Sequence, residues 1–197
     1  MKRSIQSSFI ASAAALVATL VAAPAFAGNF DFLLKIDGVQ GEVVDKQHGG
    51  EIRIEGYNVG GAASVSQATG RGGSKVTFTA LKVKKATDKL SPQLFLALAS
   101  GKHFKSARLT VRKATSAGVL VDFFVVTLKN VTITSMHLND QNGNFPMDEL
   151  SLHSAQILVE YRGPGAPTSG GWDVNLNQKL LSGEKARSAP VTRAVAE

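Results

Sequence analysis

The chain has 197 residues, no cysteine and a formal net charge of +7 at pH 7. Without cysteine it has no disulfide, no thiolate metal ligand and no thiol nucleophile, so its stability must come from burial, sheet hydrogen bonds or self-association. The positive charge permits an anionic partner without identifying one.

The N-terminal segment has the three parts of an export signal. Lys2 and Arg3 precede an apolar run at 9–23, and the motif Ala-Phe-Ala at 25–27 supplies a small-residue cleavage site. This order predicts a secretory signal peptide over residues 1–27, cleaved after Ala27. The run is shorter than the roughly 20 apolar residues that span a membrane. We therefore expect a secreted or periplasmic protein with no membrane attachment after cleavage.

Alternation of apolar and polar residues predicts strands along most of the remaining chain. It begins with Phe30, Phe32, Leu34 and Ile36 and recurs at 51–55, 75–79, 108–112 and 156–161. After residue 80 the apolar phase shifts, which indicates a bulge or a strand leaving its sheet. One-sided strands are antiparallel by habit, and closure removes their edges, so the predicted fold is an antiparallel β-barrel in one domain, residues 28–181.

One segment, 91–101, predicts the single helix. Ser91 resembles an N-cap, Pro92 suits the first helical position, and Gly101 suits the position just past the end. The intervening residues are apolar on nearly every side, and a helix of about nine residues is marginal alone. We expect it to pack across an opening or a flank of the barrel.

The strand that contains Phe123, Phe124, Val125 and Val126 is apolar at four successive positions. Both of its faces should therefore be covered, whereas a single-layer barrel covers only the inner face. The sequence predicts that the helix or a second subunit covers the outer face, and these four residues are candidate subunit-interface residues.

Two glycine-rich segments interrupt the pattern. Residues 60–73 have almost no bulky apolar side chains, which predicts a loop that is either flexible or dependent on a partner for order. The candidate interface residues in it are Gly60, Val65, Gly70 and Gly73. Residues 163–171 are rich in glycine and proline, which predicts a linking loop before Trp172. After this loop, Val174 and Leu176 suggest a last strand. From 182 to 197 the chain lacks periodicity, which predicts a disordered tail.

No catalytic, cofactor-binding or metal-binding residues are predicted. The histidines at 48, 103, 137 and 153 lack metal-ligand spacing, no nucleophile elbow occurs, and the carboxylates are scattered. The stretch Ser100-Gly101-Lys102-His103 resembles a phosphate loop only partially, and a helix C-terminal glycine explains it better. We expect a non-enzymatic protein without a cofactor.

Basic residues concentrate in the middle of the chain. Lys102, Lys105, Arg108 and Arg112 form a candidate basic face, but only Phe104 supplies an aromatic ring among them. Proteins that bind single-stranded nucleic acid interleave such charge with stacking aromatics, so no nucleic-acid partner is expected. We interpret these basic residues as the solvent-exposed side of strands, although the candidate basic face could attract acidic cargo.

Several longer segments together resemble the haemolysin-coregulated protein (Hcp) family, whose members form the tube of bacterial type VI secretion. They are DFLLKIDGVQGEVVDKQHGGEI, SPQLFLALASGKHFKSARLTVRKA, VDFFVVTLKNVTITSM, DELSLHSAQILVEYR and GWDVNLNQKL. The resemblance implies a β-barrel with one helix, hexameric rings and ring stacking into a hollow tube. It also implies small effector cargo in the lumen, a spike protein at the tip, and a loop at 60–73 that reaches the neighbouring ring. Family members begin near the first strand without an export signal, so the signal peptide is a departure.

Two functions remain open from the sequence. The first is a structural protein that forms hexameric rings or tubes in type VI secretion or a related exported assembly. The alternative is a periplasmic or secreted β-barrel binding module that holds an acidic or small partner on its basic face or in its lumen.

Overall fold

The structure, a computed structural model, describes residues 30–63, 76–139 and 145–180. The predicted signal peptide, the candidate interface residues Val65, Gly70 and Gly73, and the predicted tail at 182–197 lie outside the described residues.

Within the described ranges the protein is mainly β with one short helix, as predicted. The long strands β7, β8 and β9 have 12, 20 and 15 residues and dominate the architecture. The elements in chain order are β1 Phe30–Ile36, β2 Ile52–Ile54, β3 Gly56–Asn58, β4 Gly61–Ala63, β5 Val76–Phe78, β6 Leu81–Ala86, α1 Ser91–Ala99, β7 His103–Ala114, β8 Leu120–Asn139, β9 Met147–Tyr161, β10 Thr168–Asp173 and β11 Gln178–Lys179.

Every strand pairing is antiparallel, as the one-sided alternation predicted. One sheet runs β11-β10-β9-β8-β7-β1-β2, and β6 adds to it by pairing with both β9 and β3. Only Glu55 separates β2 from β3, and its backbone N–H donates to the carbonyl of Lys84 at 2.7 Å. The continuous segment 52–58 thus passes from pairing with β1 to pairing with β6.

The shift of apolar phase after residue 80 marks a strand that leaves its sheet, one of the two predicted outcomes. Strand β5 pairs only with β4, in a separate two-stranded sheet. Strand β6 then begins at Leu81, which lies opposite Leu152 of β9. Leu81 and Val83 are both buried in the main core, so the new phase directs these side chains inward.

The core keeps one continuous apolar face along β8 because the alternation reverses at Asn130 and again after Ile133, where the pairing with β9 shifts register before the core residue Met136. Val126 and Leu128 face the core before Asn130, whereas Val131 and Ile133 face it afterwards. Asn130 adopts the left-handed backbone conformation, with a φ of 52°, which asparagine tolerates better than most residues. Together with the register shift after Ile133, this residue allows the 20-residue strand to keep lining the core.

Helix α1 has the nine residues that the sequence predicted, but its first residue is Ser91 rather than Pro92. Leu90 occupies the N-cap position, so the expected capping role of Ser91 is wrong. The Ser91 hydroxyl instead donates to the buried Asp148 carboxylate. At the other end Gly101 has a φ of 62°, which confirms the predicted C-terminal glycine. None of the described helices is long and apolar enough to cross a membrane.

The last strand predicted at Val174 and Leu176 is wrong, because these residues lie between β10 and β11. Residues 168–173 form β10 along β9, including part of the predicted link, while Val174 and Leu176 lie in the turn that follows. The Asp173 carboxylate accepts the backbone N–H of Leu176 at 2.8 Å, which closes an Asx-type turn. Trp172 packs inward against the core, 6.5 Å from the ring of Phe78.

Candidate functional site: assembly surfaces of the subunit

The outer face of β1, β7 and β8 is buried by the chain itself. Leu33, Thr110 and Val125 are lateral neighbours in these strands. They lie outside the main core cluster, yet none is more than 1% exposed. The connection between β1 and β2 lies over them, and we name its residues 39–51 the anchored loop.

Three side-chain contacts fasten the anchored loop across this face. Asp45 accepts from Arg112 at 3.0 Å, Glu51 accepts from Arg108 at 2.8 Å, and His48 Nε2 lies 3.0 Å from Asp122 Oδ1. Arg108 and Arg112 stand on β7 on either side of Thr110. The contacts of the anchored loop with Arg108 and Arg112 therefore lie on both sides of the buried outer face at Thr110.

The carboxylate of Asp45 is held in its charged form. Its oxygen accepts the backbone N–H groups of Gln47 at 2.8 Å and His48 at 3.1 Å, and Arg112 adds a charged donor. The backbone bonds are the main cause and Arg112 a further one, and together they lower the pKa of Asp45 from 3.8 to about 2, against an opposing effect of burial.

The candidate interface residues on β8 divide into two pairs. Val125 and Val126 are 1% and 0% exposed in the single chain, whereas Phe123 and Phe124 are half-buried. The prediction that the helix or a second subunit must cover Val125 is wrong, because the anchored loop covers it. A role in a subunit contact remains a prediction, and the aromatic pair is the part that a neighbour can reach.

The candidate basic residues lie in two settings. Lys102 and Lys105 are exposed at the start of β7, and Lys102 Nζ lies 5.3 Å from the ring centre of Phe104. Arg108 and Arg112 are paired with acidic side chains of the same chain, as described above. Their use as a docking face remains a prediction, with the two lysines as its accessible part.

Gly60 lies at the base of the β4–β5 hairpin and is exposed. Its carbonyl accepts both the backbone N–H of Thr79 at 2.8 Å and the hydroxyl of the same residue at 3.0 Å. The segment predicted as one loop from 60 to 73 therefore begins with a short strand, since Gly61–Ala63 pairs with Val76–Phe78. The interface role of Gly60 remains a prediction.

An aromatic cleft of about 390 Å³ opens near the first residues of β1 and β8. Phe123 lies 5.9 Å from Phe30 and 5.2 Å from Tyr161, measured between ring centres, and the tilted geometry is favourable for aromatic pairs. Lys113 Nζ lies 5.7 Å from the Phe123 ring centre. The residues that line this cleft are Phe30, Phe32, Tyr57, Val111, Phe123 and Phe124.

A second cleft, about 700 Å³, lies beside α1, and we name it the helix-side cleft. Phe95, Leu96 and Leu138 are 51%, 65% and 59% exposed there, and the adjoining Phe145 is 80% exposed. Only one face of α1 packs on the core, so the predicted all-round apolar helix leaves its other face open. The residues lining the cleft are Thr87, Asp88, Ser91, Pro92, Phe95, Leu96, Leu138, Asn139 and Pro146.

A buried charged cluster lies beneath the helix-side cleft, and three of its members, Thr87, Asp88 and Ser91, line the cleft. Lys85 Nζ donates to Asp148 at 2.8 Å and to Asp88 at 2.9 Å, while Thr87 and Ser91 donate to Asp148. Burial alone raises the pKa of Asp148, but hydrogen bonds from Lys85, Ser91 and Thr87 outweigh it and hold the pKa below its usual value.

Sequence reasoning missed this cluster, although a signal for it existed. Lys85 continues the inward phase of Leu81 and Val83 in β6, so period-two alternation alone places the lysine inside. A buried lysine requires a carboxylate partner. The partner, Asp148, lies 63 residues along the chain and could not be found locally.

A third, polar cleft of about 540 Å³ lies on the outer side of β3, β6, β8 and β9. Lys82, Lys84 and His137 line it together with Glu149, which binds Lys84 Nζ at 2.7 Å. Among the described residues Lys82 forms no direct ion pair, although its charge adds to the hydrogen bond from Lys84 in lowering the pKa of Glu149. Among those residues, no group of three or more histidine or acidic side chains is placed to bind a metal ion.

Residues 33–161 match the family model described as "Type VI secretion system effector, Hcp". The chain belongs to the Hcp family of type VI secretion. Protein hcp1 of Pseudomonas aeruginosa is 34% identical over 157 residues, which cover 75% of this chain and 96% of that protein. Membership identifies a structural component of the secretion system rather than an enzyme, as the sequence predicted.

Solved structures carry the same fold. Hcp1 from Salmonella typhimurium is 25% identical with a TM-score of 0.64, over 78% of this chain and all of that one. A type six secretion system protein is 24% identical with a TM-score of 0.68, over 77% of this chain and 99% of that one. The Hcp resemblance inferred from the sequence is thus confirmed.

Proposed function

We propose that this Hcp-family chain forms hexameric rings that stack into a tube for type VI secretion or a related exported assembly. The family match across 33–161 carries the proposal, because it spans the three long strands and the helix together. The absence of cysteine supports it, since self-association is then one of the few means of added stability.

We propose further that residues 28–181 form one closed β-barrel domain. The continuous segment 52–58 supports closure, since it pairs with β1 through β2 and with β6 through β3. Strand β6 pairs in turn with β9, so a circuit of neighbours leads back through β8, β7 and β1.

Export by the signal peptide at 1–27 is part of the proposal, as are a spike protein and small effector cargo as partners. N-terminal sequencing of protein recovered from periplasm and from medium tests the signal. Mature protein that begins at Gly28 is the expected result, whereas an intact Met1 in both fractions contradicts cleavage.

Light scattering coupled to size exclusion and negative-stain microscopy test the ring. The expected result is a mass near that of a hexamer with ring-shaped particles. A monomeric mass at micromolar protein concentration, together with no ring-shaped particles in the micrographs, would contradict the proposal.

The polar cleft favours a second candidate function, which is the binding of an acidic partner. Lys82 is exposed and forms no direct ion pair within the described residues, and the hydroxyls of Ser135 and Ser151 line the same cleft. Ammonium and hydroxyl donors that converge on one concavity suit carboxylate groups. Arg108 and Arg112 are poorer candidates, because both already bind carboxylates of their own chain.

Fluorescence anisotropy with a labelled peptide rich in aspartate and glutamate tests this candidate. Lys82→Gln should weaken binding and reduce its salt dependence, while particle mass stays unchanged. Lys179→Gln, at an exposed lysine outside the cleft, is the matched control. Equal loss in both variants would show non-specific attraction.

A further inference from the structure

The aromatic cleft and the helix-side cleft lie toward opposite ends of strand β8. Phe123 and Leu138 are 15 residues apart in this strand. At about 3.3 Å per residue, an extended strand separates them by as much as roughly 50 Å. The two clefts are therefore distinct surfaces rather than parts of one patch.

The two surfaces are also chemically unlike. The aromatic cleft is built from rings, whereas α1 contributes Phe95 and Leu96 to the helix-side cleft, together with Pro92. Exposed apolar surface of this kind on a soluble subunit marks a contact site. Two unlike contact sites on one subunit are what head-to-tail association into a closed ring requires, since each copy presents both.

The two clefts carry charges of opposite sign, positive at the aromatic cleft and negative at the helix-side cleft. Lys113 stands over the Phe123 ring and has no carboxylate partner within the described residues. Beneath the helix-side cleft, the buried cluster combines one ammonium group, from Lys85, with two carboxylates, from Asp148 and the cleft-lining Asp88, and so has a net negative charge. Contact between the two clefts places opposite charges together, which favours this pairing over either cleft meeting itself.

We propose that the aromatic cleft of one copy docks on the helix-side cleft of the next copy and that this contact closes the ring. The inference rests on the proposed ring. Phe30 and Phe123 supply the aromatic side, and Phe95, Leu96 and Leu138 supply the apolar side. Large aromatic anchors that are only partly buried in the free subunit are typical of such contacts.

The absence of native cysteine allows a direct test by engineered cross-linking. The double variant Phe30→Cys with Leu96→Cys should, on oxidation, give a ladder of covalent oligomers that ends at the hexamer. Each single variant should stay monomeric under denaturing electrophoresis, and a mixture of the two single variants should give dimers and nothing larger. Phe95→Cys and Leu138→Cys, each combined with Phe30→Cys, allow for a different distance across the contact.

The matched control is the double variant Val44→Cys with Val119→Cys, at apolar residues that are 99% and 59% exposed outside both clefts. It should form rings without the ladder. Rings in the wild type with no ladder from any of the three pairs overturn the inference and leave the proposed function intact. A single variant that cross-links to itself also overturns it, because the cleft then meets its own copy. A wild type that forms no ring overturns both.

A second variant removes the contact without a cross-link. Phe95→Gln with Leu96→Gln changes side chains that are at least half exposed, so the subunit should keep its fold and its circular dichroism spectrum. We expect loss of rings by light scattering. Folded protein that still forms rings would contradict the assigned surface.

Discussion

The adjacent residues Lys85 and Lys84 both pair with carboxylates, but they should contribute very differently to stability. Both side chains of the Lys85–Asp148 pair are at most 1% exposed. The adjacent Lys84 pairs with Glu149 at a similar distance, but its side chain is 60% exposed. Exposed pairs contribute little because water screens them, while an isolated buried charge is costly.

We expect Lys85→Met to lower the free energy of unfolding by about 3–5 kcal/mol, because Asp148 is left buried without its cation. Lys84→Met is the matched control and should cost less than about 1 kcal/mol. Urea denaturation followed by circular dichroism measures both. Similar losses for the two variants would refute the importance of burial here.

Asp45 predicts a pH dependence with a defined sign. Its folded pKa of about 2 lies below the ordinary 3.8, so its contribution is full above about pH 4 and is lost as pH falls through about 2. The stability gap between wild type and Asp45→Asn should therefore narrow across that interval. Denaturant titrations at several pH values measure this gap, and a gap that stays constant as pH falls below 4 would contradict the role of Asp45.

At the level of elements, the anchored loop depends on a close backbone approach. A Cβ atom on Gly41 would lie 2.1 Å from the carbonyl oxygen of Glu51. Gly41 N–H also donates to the carbonyl of Gly50 at 2.7 Å, so the two ends of the loop run side by side.

We expect Gly41→Ala to displace the loop and to cost at least about 2 kcal/mol of unfolding free energy. Faster hydrogen exchange at Thr110 and Val125 should accompany the loss, because the loop covers them. Gly56→Ala, where a Cβ meets nothing within 4 Å, should change stability by less than about 1 kcal/mol. Unchanged exchange in the Gly41 variant would mean that other residues protect this face.

Local pattern predicted the strands and the helix because alternation and helix ends are encoded by neighbouring residues. Prediction from local pattern failed where contacts between residues distant in sequence determine the structure. Contacts of the anchored loop join Glu51 to Arg108 and Asp45 to Arg112, 57 and 67 residues apart. The C-terminal strand was misplaced because the Asp173 side chain fixes a turn at residues that otherwise suit a strand.

For the whole molecule, the proposed ring would couple the free energy of unfolding to protein concentration. Association favours the folded state by mass action, so the urea midpoint should rise with protein concentration. The Phe95→Gln with Leu96→Gln variant, which lacks the proposed contact, should show no such rise. A wild-type midpoint that stays constant over a hundredfold dilution series would contradict assembly.

The assembly surfaces were only partly predictable from the sequence. The run at Phe123 and Phe124 indicated unsatisfied apolar surface, and these rings do line an open cleft. The helix-side cleft was not predicted, because an all-round apolar helix does not reveal which face the core will take. That choice depends on the packing of Leu94 and Ala97, which only the folded chain determines.

The anchored loop has a consequence for the life of a single copy. Because the chain buries the outer side of β1, β7 and β8 by itself, a single copy that leaves the proposed ring should keep the fold of this region.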